Sequence, residues 1–211
     1  MIRVMLVDDH AVVREGYRRL IEKHKGLAVM AEAPDGQTAY QLYKAEKPDV
    51  VVLDLSMPGK GGIEVLRQLR QWDDRARVLV FTMHQNAAYA DQAFQAGARG
   101  YITKSSAPEL LISAIRDVAA GRTAISPDVS HALALARISD EDELLHSLSA
   151  REFDIFRMLA DAKSIDEIAT TLNLSPKTVS NYHYLIKSKL GVASDIELAR
   201  LAVRMKIVEA G

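Results

Sequence analysis

The feature that most constrains the fold is a series of short apolar runs in the first half of the chain, each ending on polar residues. Ile2–Val7 stops at Asp8 and Asp9, and further runs occupy residues 27–31, 50–53, 78–81 and 100–102. Each is rich in Val, Ile or Leu and short, as strands buried on both faces should be. Helical patterns lie between them. Leu110, Leu111, Ala114, Ile115 and Val118 repeat at helical spacing, and Gly121 supplies a stop. Strand alternating with helix over about 120 residues predicts an α/β fold with a doubly wound, five-stranded parallel sheet.

The pattern changes after Gly121. Residues 123–147 contain no apolar strand, and Asp140, Glu141, Asp142 and Glu143 stand in succession. This stretch reads as an acidic linker, partly helical over residues 131–137, in which Arg137 faces five carboxylates. From Leu148 onward every segment reads as helix. Ser149 with Glu152, Ser164 with Glu167 and Ser194 with Glu197 have capping-box spacing, and Ser175 precedes Pro176 as an N-cap before an N1 proline. The expected organisation is an α/β domain over residues 1–122, a linker over 123–146 and an all-α domain over 147–211.

Composition narrows the function. The absence of cysteine excludes disulfides, thiol catalysis and thiolate metal sites. No apolar run reaches the ~18 residues of a membrane span, and the first residues read as a strand without the basic start of a signal peptide. A cytoplasmic protein with no membrane association is expected. The formal net charge is -1, so any nucleic-acid surface must be local.

Asp8 and Asp9 end the first strand, and Asp54 ends the third. In a doubly wound sheet the carboxyl ends of these strands meet at the switch point where ligands bind. Three carboxylates crowded there repel one another unless a cation sits between them, and oxygen ligands favour Mg²⁺ or Mn²⁺. Thr82 ends the fourth strand, and Lys104 follows the fifth. Carboxylates, a hard divalent ion, a hydroxyl and a lysine suit phosphoryl transfer, in which a carboxylate can be the nucleophile. Taken singly, Asp9 and Thr82 read as caps and Lys104 as a solvated charge. Their coincidence at carboxyl strand ends favours a site. His10 and His84 match no zinc spacing and read as surface or supporting groups.

VDDH at residues 7–10, DLSMPGKGG at 54–62, FTMH at 81–84 and GYITKS at 100–105 together resemble the receiver domain of two-component response regulators. The resemblance implies a CheY-like fold over roughly residues 1–121, with Asp54 as phosphoacceptor. It implies Asp8, Asp9, Asp54 and the Ser56 carbonyl as metal ligands, Thr82 and Tyr101 as a switch pair, and Lys104 as the phosphate contact. Two departures stand out. Ser105 follows Lys104 where many receivers have proline, so the turn must be built differently, and Met83 fills a position where small residues are common.

If residues 175–190 form one helix at about 100° per residue, Val179, Tyr182, Ile186 and Leu190 share a face. Lys177, Asn181, Tyr184 and Ser188 lie opposite, with Ser180 and Lys187 at the edge. The outer face carries no acid, which suits a DNA major groove. Residues 148–192 resemble the LuxR-type helix-turn-helix of the NarL/FixJ family, and SPKTVSNYHY…IELARLAVR resembles its GacA/UvrY branch. Here Ala162-Lys163 replaces a glycine common before the scaffold helix, and Tyr182 replaces a common histidine. Lys177, Thr178, Ser180, Asn181 and Tyr184 are the expected groove contacts, with Lys187 and Lys189 toward phosphates. The partners implied are a sensor histidine kinase, a double-stranded DNA operator and a second copy of the chain. The last helix, expected over residues 194–206, offers Leu198, Leu201, Ala202 and Met205 for packing and dimer contact.

Two other function classes compete. A haloacid-dehalogenase-like phosphatase needs a second aspartate two residues after its nucleophile, and Ser56 stands there, so turnover catalysis is not expected. A protein-interaction module would not require the acid-free outer face of residues 175–190.

Overall fold

In a computed structural model of the chain, residues 1–57, 61–136, 144–145, 147–205 and 207–208 are described. Residues 58–60 of the Asp54 motif, the acidic run at 140–143 with Arg137, and Lys206 lie outside them. The chain divides into two compact units, Met1–Ala132 and Leu133–Gly211.

The first unit alternates strand and helix. β1 (Ile2–Val7), α1 (Ala11–Glu22), β2 (Leu27–Ala33), α2 (Gly36–Glu46), β3 (Val50–Leu53) and α3 (Gly62–Trp72) lead into β4 (Val78–Thr82), α4 (Ala87–Gln95), β5 (Gly100–Thr103) and α5 (Pro108–Ala119). With β6 (Ala124–Ile125) added, all neighbouring strands are parallel, in the order β2-β1-β3-β4-β5-β6. Side chains alternate between the two faces of a strand. Val4, Leu6, Val50, Val52, Leu79, Phe81 and Ile102 therefore meet one another and Ile21 of α1 and Leu111, Ile112, Ile115 and Val118 of α5 in one core. Met5, Val7, Val51, Leu53, Val78 and Val80, of the opposite parity, are equally buried. Burial on both faces explains why these strands read as unbroken apolar runs.

The sheet has six strands, which corrects the expectation of five. β6 (Ala124–Ile125) pairs with Gly100 and Tyr101 inside the stretch that showed no apolar strand in the sequence. Two residues, one of them 38% exposed, give no run to detect. The pairing needs Gly100, because a Cβ there would lie 2.9 Å from the Ala124 carbonyl and 2.6 Å from Leu79 Cδ1. α6 (Pro127–Ala136) follows β6.

In the second unit the described helices are α7 (Ala150–Ala160), α8 (Ile165–Leu172), α9 (Pro176–Leu190) and α10 (Asp195–Arg204), besides a short turn of helix at 144–145. Ser149–Glu152 and Ser164–Glu167 form complete capping boxes. Ser194–Glu197 forms half of one. The Ser194 hydroxyl accepts from the Glu197 amide, but the Glu197 carboxylate takes the Ala193 amide at 2.8 Å instead of that of Ser194. Ser175 caps α9 before Pro176, and Gly191 ends it in the left-handed region at φ 67°. Phe153, Ile155, Phe156, Ile168, Val179, Ile186 and Ala202 are fully buried and bring the four helices together.

Candidate functional site

The order β2-β1-β3 puts the carboxyl ends of β1 and β3 side by side, and Asp54 stands one residue beyond β3. Its amide donates to the Val7 carbonyl at 2.9 Å. The approach of α3 to this corner requires Gly62, since a Cβ there would sit 2.5 Å from the Asp54 carbonyl oxygen. Asp8 and Asp54 are 6% and 3% exposed. Two carboxylates buried this deeply need a counter-charge. Lys104 supplies it, its ammonium donating to Asp8 Oδ2 at 2.7 Å and Asp54 Oδ2 at 2.6 Å. Burial alone would push the Lys104 amine down, but its bonds to Asp54 and Asp8 outweigh that and hold it above its ordinary value. It therefore stays charged.

Asp9 completes the acidic corner. Its Oδ1 is buried without a hydrogen bond. The His10 imidazole Nδ1 lies 2.9 Å away without hydrogen-bond alignment. Asp8, Asp9 and His10 offer ligand atoms within 4.8 Å of one another. Asp54 stands outside that trio and joins Asp8 through Lys104. The oxygen set expected for a divalent cation is thus distributed over two adjoining clusters. The ammonium bonds to two of the three carboxylates, and the Asp9 Oδ1 acceptor is left unused. Such an oxygen-rich, electron-rich corner fits a hard divalent ion.

The switch candidates flank the same corner. Thr82 is fully buried and its hydroxyl has no partner, while its carbonyl accepts the Lys104 amide at 2.8 Å. The Tyr101 ring is fully buried, and its hydroxyl donates to the His84 carbonyl at 3.0 Å. Burial, with the charges of Asp54 and Asp128 adding, pushes that phenol far up. The Ser56 amide donates to Asp54 Oδ1 at 3.0 Å, and its hydroxyl pairs with His84 Nε2 at 3.0 Å. Met83 is 63% exposed at the rim.

His10, read as a surface or supporting group, lies in the acidic trio, and two neighbours escaped the sequence reading, Arg14 and Tyr17. Arg14 Nη1 donates to the Asp8 carbonyl at 2.6 Å, and Tyr17 lines a small cleft with Asp8, Arg14, Asp54 and Phe81. Both sit on α1, and helical periodicity shows a face without showing which carbonyl or cleft it meets.

In the second unit, α8, the turn after Asn173 and α9 form the helix-turn-helix. Asn173 ends α8 in the left-handed region, φ 52°. Lys177, Ser180, Asn181 and Tyr184 are exposed on α9, while Val179, Ile186 and Leu190 are buried. Thr178 is half-buried and belongs to the cap, its amide donating to Ser175 Oγ at 3.1 Å. The two lysines expected at phosphates are engaged within the domain. Lys187 donates to Asp195 Oδ1 at 3.0 Å, beside His183 Nε2 at 2.8 Å from the same oxygen. Lys189 donates to Glu152 Oε2 at 2.7 Å and the Ser147 carbonyl at 3.1 Å. A helical wheel gives a residue's face but not the neighbouring helix that meets it.

A parallel sheet with an acidic corner at its carboxyl edge, joined to a helix-turn-helix, defines a class. The chain belongs to the response regulators that carry a receiver and a LuxR-type DNA-binding domain and regulate transcription in two-component systems. Residues 4–116 match the family described as response regulator receiver domain, and residues 146–202 match the luxR family of bacterial regulatory proteins. Response regulator UvrY of Escherichia coli K12 is 41% identical over 206 residues, covering 97% of this chain and 94% of its own. Response regulator GacA of Pseudomonas aeruginosa PAO1 is 42% identical over 212 residues, covering 100% and 99%. The structure of RcsB from Salmonella enterica serovar Typhimurium, bound to promoter rprA in the presence of the phosphomimetic BeF3-, is 27% identical with a TM-score of 0.71. It matches over 95% of this chain and 97% of that one.

Proposed function

We propose that Asp54 is the phosphoacceptor, and that its phosphorylation by a sensor histidine kinase controls sequence-specific binding of the helix-turn-helix to an operator. The observation that carries the reading is the buried Lys104 bridge between Asp54 and Asp8 beside an unpartnered Thr82 hydroxyl. An Asp54 carboxylate oxygen attacks the donor's phosphorus, the bond to the donor breaks, and the leaving group carries away that electron pair. The Lys104 ammonium neutralises charge on the transferring oxygens. The Thr82 hydroxyl has a free donor for one of them, and its movement couples to Tyr101. Asp8, Asp9, Asp54 and the Ser56 carbonyl would hold Mg²⁺ or Mn²⁺, which would supply further neutralisation of the phosphoryl oxygens. With Ser56 in place of a second acid, the site stores the phosphoryl group and is not built for turnover.

On DNA, Lys177, Ser180, Asn181 and Tyr184 face the groove, with Thr178 ordering the start of the helix. Lys187 and Lys189 lie nearer the phosphates once their internal partners yield. One short recognition helix reads few base pairs, so two copies bound to paired half-sites are expected. The promoter-bound RcsB structure supports DNA binding by this fold, and a structure of two RcsB dimers bound to two parallel DNAs supports the pairing. On the proposed reading the protein acts at DNA in the cytoplasm. The organisation proposed remains a receiver over residues 1–122, a linker over 123–146 and a DNA-binding domain over 147–211, with β6 of the linker segment pairing on the receiver's sheet.

The test is intact-mass labelling by a small phosphodonor in Mg²⁺. One phosphoryl group should appear on the native chain and none on Asp54→Ala. Undiminished labelling of that variant would overturn the assignment.

A further inference from the structure

The turn that carries Lys104 has no proline to fix it. Hydroxyl groups perform that task. Thr103, the last residue of β5, is fully buried. Its Oγ1 lies 2.7 Å from Asp128 Oδ2, 2.9 Å from Ser106 Oγ and 3.1 Å from Ser105 Oγ. A threonine hydroxyl has one proton and two lone pairs, whereas an ionised carboxylate only accepts. The Thr103 proton therefore goes to Asp128. That leaves both lone pairs for the hydroxyls of Ser105 and Ser106, so the carboxylate sets the direction of the whole cluster. Burial would push the Asp128 carboxyl up, but the hydrogen bonds it accepts, Thr103 among them, hold it below the usual carboxylate range. The Ser106 amide closes the turn on the Thr103 carbonyl at 3.0 Å, and Lys104 sits between these two anchors.

β6 explains how Asp128 reaches this place. Its register sets Ala124 against Gly100 and Ile125 against Tyr101, and the Ser126 amide donates to the Tyr101 carbonyl at 3.0 Å. The start of α6 is thereby delivered to the end of β5. A two-residue strand buries little apolar surface, so its contribution is chiefly positional.

We propose that Asp128 is a positioning residue for Lys104: through the Thr103 hydroxyl and the two serines it holds the turn that aims the ammonium at Asp54 and Asp8. This rests on Lys104 being the phosphate contact. A residue in the segment read as linker thus belongs to the support of the phosphorylation site. Loss of one such anchor misplaces a charge that must be held within a fraction of an ångström.

The experiment uses the full chain with a small phosphodonor and measures the initial labelling rate, Mg²⁺ affinity and hydrogen exchange of the 101–108 amides. Asp128→Ala and Thr103→Val should each slow labelling by about tenfold, the scale of one lost hydrogen bond to a charged group. Exchange over 101–108 should rise, and Mg²⁺ affinity should stay within about twofold because no carboxylate of the acidic corner changes. Thr103→Ser, which restores the hydroxyl, should recover most of the rate. Asp128→Asn, which keeps an acceptor and the helix, should fall between. Unchanged labelling in Asp128→Ala and Thr103→Val, with Lys104→Ala defective, would overturn the inference and leave the phosphorylation reading intact. An undiminished Lys104→Ala would overturn the reading it rests on. A parallel loss of Mg²⁺ affinity in Asp128→Ala would assign Asp128 a general structural role and overturn the inference too.

Discussion

Asp195 places a carboxylate against the side of α9 that otherwise carries none. Its Oδ1 takes both Lys187 and His183, so under the proposed phosphate contact of Lys187 it would be an internal rival for the DNA backbone. The Lys187 hydrogen bond, against a smaller effect of burial, keeps Asp195 below its ordinary value, so it is charged at neutral pH. Its side chain is 68% exposed, so the pair is weak and a phosphate can displace it. Asp195→Asn should strengthen binding to all DNA sequences alike, by about two- to fivefold at low salt, and steepen the salt dependence. Affinity measured over a salt series checks this. A change in base preference would instead assign Asp195 to the reading of sequence. Asn181→Ala and Tyr184→Ala belong to the other class, and their effect should differ from base to base. The groups of the acidic corner were legible as residues because they end buried parallel strands, whose runs stand out. The partners of Lys187 and Lys189 were not, because they depend on how α10 and α7 pack against α9.

At the scale of the element, two features of the helical domain invite measurement. Ala162, which replaces a glycine common in the family, has φ 58°. A Cβ in the left-handed region is costly, and only glycine adopts it freely. Ala162→Gly should stabilise the domain by about 0.5–1 kcal/mol, the relief of strain exceeding the entropy cost of glycine, and thermal melting reads it directly. An unchanged or lower melting temperature would show that the strain is relieved elsewhere. The second feature is the Glu152 carboxylate, 7% exposed, which closes the α7 cap and receives Lys189. Burial would push this carboxyl up, but Lys189 and the Ser149 amide and hydroxyl hold it below its ordinary 4.5. A carboxyl depressed in the folded state stabilises above its unfolded value and loses that contribution as pH falls through its folded one. The stability of the helical domain should therefore decline below about pH 4.5. In Glu152→Gln the same decline should be smaller, from a lower starting point. An identical acid profile in both proteins would remove Glu152 from the explanation. Both complete capping boxes were readable from spacing alone, because the partners are three residues apart. Ser194–Glu197 has the same spacing, yet its carboxylate finds the Ala193 amide, a choice set by local backbone direction.

At the scale of the molecule, the receiver and the helix-turn-helix were separable in the sequence by a change of period, from strand runs to continuous helix. β6 was hidden because two residues make no pattern, and with it the approach of Asp128 to Thr103. The proposed function draws on the two units together: a buried carboxylate proposed to carry a phosphoryl group, and a helix whose exposed outer residues are proposed to meet a groove. The direct test is DNA affinity for an operator selected from a randomised pool, measured with and without a phosphodonor, on the native chain and on Asp54→Ala. The donor should tighten binding of the native chain by about 5- to 150-fold, the usual range of coupling between two sites, and leave Asp54→Ala unmoved. An equal response in Asp54→Ala, or no response from a native chain that is fully phosphorylated, would contradict control of DNA binding through Asp54.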